Sequence, residues 1–403
     1  MAATGIHENI GSLAMRIIDV DSHFNEPYGW FEKANPALAA KLPKMTVAEQ
    51  FIDIVVGDLF ASVPPELRPD PLALVPEYVR ESYERFLSGE GEPPPSAVES
   101  GTFLPAAYEP EARIAWMDVR GIEKQVLLPS SGYHPYRHAM RNDPSLALPA
   151  LETYNRWAAE QLHGHTERLI PATVVDLMDV DWSIAQITDM RARGSRVAFV
   201  KADPHGGKSL CHPDFERFWS ACVDLGVTVM FHVGGGRAAM HPGWANNGNN
   251  LAAFYRQAAL ARQLVPQMAL GAMVFGGVLE RHPKLGIVVS ELGIDWLPHF
   301  LETIDLEADN ARPRLLTMAP YDLPLKPSEY MQRQVRVSVV HQQDILRPTI
   351  DRIPEGMVVF SSDFPHVEGH QEAVALYDAQ LAGLSQSARE AFFGRSAAAL
   401  MGI

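Results

Sequence analysis

The sequence predicts a single (β/α)8 barrel of the TIM type, and three features of the chain predict it. Eight strand-length apolar runs recur along its length, helical segments fill nearly every gap between them, and four of the runs end in polar side chains of metal-binding type. Strand–helix alternation implies parallel strands, because a parallel return needs a crossover long enough to hold a helix. The competing arrangement is an open doubly wound sheet. Gly234-Gly235-Gly236 follows a strand, but it lacks the spacing of a dinucleotide-binding loop and no helix clearly opens on it.

The first strand lies near residue 17 and runs into Asp19-Val20-Asp21-Ser22-His23. Alternation places Asp19, Asp21 and His23 on one face, with Ile18 and Val20 on the other. Residues 28–110 then form a long insertion, rich in charge and broken by Pro64-Pro65, Pro69, Pro71 and Pro93-Pro94-Pro95. It reads as a lid-like surface excursion or a dimer contact with short helices, one over 78–88. From Glu111 the pattern is regular. A helix over Glu111–Gly121 precedes the strand Lys124–Leu128, a helix over 145–165 precedes Leu169–Val175, and Trp182–Arg193 precedes Arg196–Lys201. The helix Phe215–Asp224, closed by Gly226, feeds the strand Val227–His232. One or two apolar helices over 250–281 lead to Leu285–Glu291. Val335–Val340 and Met357–Asp363 complete the strands, and helices over Gln371–Leu384 and Ala388–Leu400 end the chain.

Composition bounds the function. With 403 residues, 47% of them hydrophobic, the chain can build one large core, and no linker divides 1–403 into separate domains. No apolar run reaches the roughly 20 residues of a membrane span, and the N-terminus lacks a secretion signal, so the expected location is cytoplasmic. Cys211 and Cys222 form neither a disulfide framework nor a zinc-ribbon spacing. The net charge of -15 has no clustered basic patch to offset it, which argues against nucleic-acid binding. An anionic substrate needs a local cation against that background, and a bound metal supplies one.

Barrel enzymes place their chemistry at the C-terminal ends of the strands. Strand one ends in Asp21 and His23, strand five in His232, strand six in Glu291 and strand eight in Asp363. Each residue alone has an ordinary reading: a solvated strand end, a buried hydrogen-bonded histidine, an ion pair with an arginine, a turn or helix-capping aspartate. Together they make a mixed nitrogen and oxygen set suited to one divalent ion, zinc first, with manganese or iron as alternatives. Substrate-orienting candidates are His134, Arg137 and His138 on the loop after strand two, and Arg237 and His241 after strand five. Phe24, Tyr133 and Trp244 could wall the site.

The motifs Ile18-Asp-Val-Asp-Ser-His-Phe-Asn-Glu-Pro27, Glu111-Ala-Arg-Ile-Ala-Trp-Met-Asp118, Tyr154-Asn-Arg-Trp157 and Phe231-His232 resemble the amidohydrolase superfamily. So do Phe275–Pro283, Ser290–Pro298, Ser361-Ser-Asp-Phe-Pro-His366 and Gly394–Leu400, in family order over nearly the whole chain. The resemblance is to the amidohydrolase-2 branch that includes aminocarboxymuconate semialdehyde and γ-resorcylate decarboxylases. It implies Asp21, His23, His232 and Asp363 as metal ligands, with Asp21 standing where many members carry histidine or glutamate. It also implies a homodimer or homotetramer, for which Tyr330–Arg336 or the C-terminal helices could supply the surface. The activity it implies is non-oxidative decarboxylation of an aromatic or unsaturated acid, with Asp363 or His366 moving the proton. The alternative is a hydrolase of C–C or C–N bonds that uses a metal-activated water. Glu291 bears on the choice, because several decarboxylases of the branch carry histidine at that position; here it is a ligand or an acid–base group. Lys201 is similar in position to the carbamylated bridging lysine of dinuclear relatives, although a substrate-facing or structural lysine suits this mononuclear branch better.

Overall fold

A computed structural model describes residues 15–44, 77, 81, 98, 100–233, 242–244, 250–309, 320–340 and 344–403. Eight parallel strands form one sheet in the order β1 to β8. They are β1 (Ile18–Phe24), β2 (Lys124–Pro129), β3 (Leu169–Val174), β4 (Val197–Phe199), β5 (Thr228–His232), β6 (Ile287–Ser290), β7 (Val335–Ser338) and β8 (Val358–Val359). Each predicted strand is present. Backbone bonds from Val20 N–H to the Phe360 carbonyl (3.3 Å) and from Asp363 N–H to the Asp21 carbonyl (3.0 Å) join the last strand's extension to the first, which closes the ring. The strands are covered on both faces, as a parallel barrel requires, with Ile287, Val288 and Val289 fully buried.

Most helices fall where periodicity places them, including Pro110–Arg120, Ala147–Gln161, Val180–Ala192 and Glu216–Leu225. Three helices of eight or more residues lie outside the predicted set: His134–Asn142, Leu297–Ala308 and Pro327–Gln334. All three carry proline in the first turn, where the missing N–H costs nothing and the fixed φ favours helix initiation. His134, Arg137 and His138 therefore stand on a helix and not on the expected loop.

Much of 28–110, including most of the expected 78–88 helix, lies outside the described residues. Its described start is packed down. Trp30, Phe31, Leu38 and Leu42 are buried, and the Trp30 ring meets Tyr154 and Trp157. At the other end of the chain a single π-helical turn, Ala391–Arg395, seats Phe392 and Phe393 against Phe360. Gly394 there leaves room for the Arg16 carbonyl at the foot of β1. Tyr330 and Met331, in a segment considered for subunit contact, are buried within the subunit. Among the described residues no helix is long and apolar enough to cross a membrane.

Candidate metal centre

The fold brings Asp21, His23, His232, Glu291 and Asp363 to one place at the C-terminal rim. His23 Nε2 lies 3.6 Å from Asp21 Oδ1 and 3.4 Å from Asp363 Oδ1. His232 Nε2 lies 3.4 Å from Asp21 Oδ1 and 3.0 Å from Glu291 Oε2. All five side chains are buried or nearly so, yet Asp21 Oδ1 and Oδ2, His23 Nε2, His232 Nε2, Glu291 Oε2 and both Asp363 oxygens have no hydrogen-bond partner. Leaving that many buried polar atoms without a hydrogen bond costs several kcal/mol. Two groups that share His23, namely Asp21–His23–His232 and His23–Glu291–Asp363–His366, each bring their donor atoms within 4.8 Å of one another, which offsets that cost if they share a cation.

The imidazoles are turned for this task. His23 Nδ1 is 3.0 Å from the Pro129 carbonyl and His232 Nδ1 is 2.7 Å from that of Val233. A carbonyl only accepts, so each Nδ1 carries its proton and each Nε2 is left facing the cluster, as in metal-bound histidines. The backbone is bent to the same end. Glu291 (φ 58°) and Asp363 (φ 51°) are the only non-glycine residues in the left-handed region among those described. That conformation turns both carboxylates off their strand ends and into the cluster.

Charge shifts follow from this crowding. Burial lowers the His23 imidazole well below its ordinary value, and neighbouring His366 adds to the effect. Burial opposes charge on His232 as well, but Asp21 and Glu291 override it and hold that ring well above its usual range. Burial and the nearby Asp363 push Glu291 up to about 7. Burial raises Asp363 too, against the pull of His366. For Asp21, the attraction of His232 and His23 outweighs burial and lowers its carboxyl. Three carboxylates this close repel one another, and a divalent cation relieves the repulsion.

His366 belongs to the site in a different way. Its ring stacks on His23 at 3.6 Å between centroids, its Nδ1 is 3.2 Å from Asp363 Oδ1, and its Nε2 is 3.2 Å from Ser130 Oγ. Its Nε2 is hydrogen-bonded to Ser130, and its Nδ1 makes an ion-pair contact with Asp363. Burial works against its charge, but Asp363 raises it to about 9.

Sequence reasoning missed the shell behind these residues. Arg113, completely buried, donates to the carbonyls of His23 (2.6 Å) and Ala106 (2.5 Å) and to Gln125 (3.1 Å), so it pins the end of β1. Asp19 shares a face with Asp21 but sits one layer deeper, accepting from Ser362 Oγ (2.6 Å) and Gln125 Nε2 (2.8 Å). Glu26 accepts from Ser131 N–H (2.7 Å) and Ser131 Oγ (2.9 Å), while Ser130 Oγ donates to Asn25 (2.7 Å). The segment Asn25-Glu26-Pro27 was the available signal, since polar residues directly after a ligand-bearing strand have backbone to orient.

The remaining predicted residues are more scattered. His134 is buried and Arg137 lies over the Tyr133 ring at 5.0 Å, whereas His138 bonds the Pro43 carbonyl (2.7 Å) on the outside of its helix. Arg237 and His241 lie outside the described residues. Trp244 is 58% exposed and Phe24 is buried against Trp157, which leaves Tyr133 as the expected wall residue beside the site. Lys201 does not join the cluster: its Nζ donates to Asp176 Oδ2 (3.0 Å) and Tyr136 OH (2.6 Å), which excludes a bridging role in this arrangement. Among the described residues no arginine pairs with Glu291; its partner is His232.

A closed parallel barrel with nitrogen and oxygen donors gathered at its C-terminal rim defines an enzyme of the metal-dependent barrel class. The chain belongs to the amidohydrolase family, whose sequence pattern matches residues 18–403. It is 21% identical over 297 residues to 2-amino-3-carboxymuconate-6-semialdehyde decarboxylase of Dictyostelium discoideum, covering 73% of this chain and 77% of that protein. Solved structures share the fold. An amidohydrolase of Mycobacterium avium subsp. paratuberculosis superposes with a TM-score of 0.68 at 20% identity, over 97% of this chain and 99% of that one. A 5-carboxyvanillate decarboxylase of Novosphingobium aromaticivorans, complexed with manganese and 4-hydroxy-3-methoxy-5-nitrobenzoic acid, gives a TM-score of 0.62 at 17% identity, over 98% and 97%.

Proposed function

We propose that this chain is a metal-dependent, non-oxidative decarboxylase of an aromatic or unsaturated carboxylic acid. Asp21, His23, His232 and Asp363 hold the divalent ion, with Glu291 as a fifth donor or an acid–base group. Zinc suits the nitrogen and oxygen donors, and manganese, found in the Novosphingobium structure, is the alternative, with iron third. When bound, the ion supplies Lewis-acid polarisation and a positive charge that draws in a carboxylate.

The observation that carries the choice of reaction is the setting of His366. Ser130 Oγ already donates to Asn25, so it accepts from His366 Nε2–H, while His366 Nδ1 faces the Asp363 carboxylate. A ring with an acceptor at each nitrogen is built to give a proton, and decarboxylation needs one delivered to the carbon that loses carbon dioxide. Asp363 steadies the ring and receives charge from it. His134 and Arg137 orient the substrate from the helix after β2, with His138, Arg237 and His241 further out. The substrate is a small anion, the expected location is the cytoplasm, and the assembly is a homodimer or homotetramer.

The second reading is a hydrolase acting through an activated water, and Glu291 in place of a histidine favours it. One experiment separates the two. Hydroxybenzoate-type and muconate-type acids are incubated with metal-loaded enzyme in 18O-labelled water. The decarboxylase reading expects metal-dependent carbon dioxide release with no solvent oxygen in the organic product. Label in the product, with no carbon dioxide from any acid, establishes the hydrolase.

A further inference from the structure

Beside the metal centre stands a cation that the proposed chemistry does not use. Lys201 lies two residues past β4, so alternation puts it on the same wall as Phe199. The Phe199 ring meets His232 edge-on at 5.7 Å and Tyr133 at 5.7 Å, which places this wall directly against the ligand cluster. Lys201 is the next side chain up the wall, toward the mouth.

Its surroundings fix it in position. Asp176, just beyond β3, accepts from Lys201 Nζ (3.0 Å), from His205 Nδ1 (3.1 Å), from the Met178 N–H (3.0 Å) and from the Tyr136 hydroxyl. Tyr136 OH in turn accepts from Lys201 at 2.6 Å. An ammonium has three N–H groups, and here two of them have acceptors. The side chain is 22% exposed while Asp176 and His205 are sealed beneath it. The ion pair with Asp176 and the bond to Tyr136 hold the side chain on the barrel wall, and among the described residues its third N–H has no acceptor. Against a net charge of -15 and three carboxylates at the rim, a fixed cation beside the ion is what a second negative group on the substrate would need.

We propose that Lys201 is a specificity-determining residue whose remaining N–H binds a second acidic group of the substrate, selecting acids that carry two negative charges over those that carry one. The assignment rests on the decarboxylase reading for the reacting end of the substrate, but it concerns the far end and can be read without turnover.

The test compares binding of benzoate with that of the three benzenedicarboxylates to the metal-loaded protein by calorimetry, in the wild type and in Lys201→Gln and Lys201→Met. Asp176 keeps Tyr136, His205 and the Met178 N–H in either variant, so the fold has the means to survive. In the wild type at least one dicarboxylate should bind about tenfold or more tightly than benzoate, the worth of a charge-assisted hydrogen bond. That preference should vanish in both variants while benzoate affinity and metal content hold. With a turned-over diacid, KM should rise and kcat should change little. The proposal is overturned if no dicarboxylate is preferred by the wild type, if the preference survives in the variants, or if both variants unfold or lose the metal. Carbon dioxide release is scored separately: a lysine-dependent preference without any release rejects the decarboxylase and supports Lys201.

Discussion

Two side chains allow sharp tests. His366 is proposed to move a proton without holding the ion, so His366→Gln should cut kcat by about 10²- to 10⁴-fold while elemental analysis finds the metal content unchanged. Loss of metal in that variant would make His366 a ligand instead. Asp176 gives a pH test. Burial pushes its carboxyl up, but His205, Lys201 and Tyr136 outweigh that and hold it below the usual carboxylate range. A carboxyl depressed by folding contributes stability that is fully present above its unfolded value of about 4 and is lost as pH falls below that. Asp176→Asn should therefore be less stable than wild type at pH 7 by about 3 kcal/mol, with the gap narrowing as pH falls from about 4 toward 2 in urea titrations. A constant gap would show that the carboxylate's charge is not what matters.

Individual elements show what could be read from the sequence and what could not. The placing of Asp21 and His23 at the rim was legible because a carboxylate two residues before an imidazole at a strand end is a local pattern, and the eight strands were legible from their apolar runs. The helices His134–Asn142, Leu297–Ala308 and Pro327–Gln334 were not, because proline in a first turn resembles a break when read without its partners. The left-handed backbone at Glu291 and Asp363 was equally hidden, since nothing local in Ser290-Glu291-Leu292 or Ser362-Asp363-Phe364 demands it. Arg113, Glu26 and Ser130 were missed for another reason: their partners are distant in sequence, backbone groups for Arg113 and Glu26 and the side chains of Asn25 and His366 for Ser130. The π-helical turn offers a test of element packing. A methyl group at Gly394 would strike the Arg16 carbonyl, so Gly394→Ala should cost about 1–3 kcal/mol. Unchanged stability in chemical denaturation would mean that β1 and this turn can separate freely.

For the molecule as a whole, the rim is a cost that the rest of the barrel carries. Seven buried polar atoms among Asp21, His23, His232, Glu291 and Asp363 lack hydrogen bonds, and a bound ion converts that liability into stability. Removing metal with a chelator should lower Tm by several degrees, and restoring one equivalent of zinc or manganese should recover it; for each 1 kcal/mol of binding lost, a domain of this size shifts by about 1 °C. A melting curve indifferent to both treatments would mean the cluster is held by the fold alone.

The central claim is that side chains from the ends of three strands, β1, β5 and β8, share one cation. Anomalous X-ray diffraction from crystals of the metal-loaded protein, collected at the absorption edge of the ion, tests it most directly. One peak within about 2.0–2.3 Å of donor atoms from Asp21, His23, His232 and Asp363 is the predicted result. Full-strength metal at another place, with these atoms bonded only to water, would contradict the account.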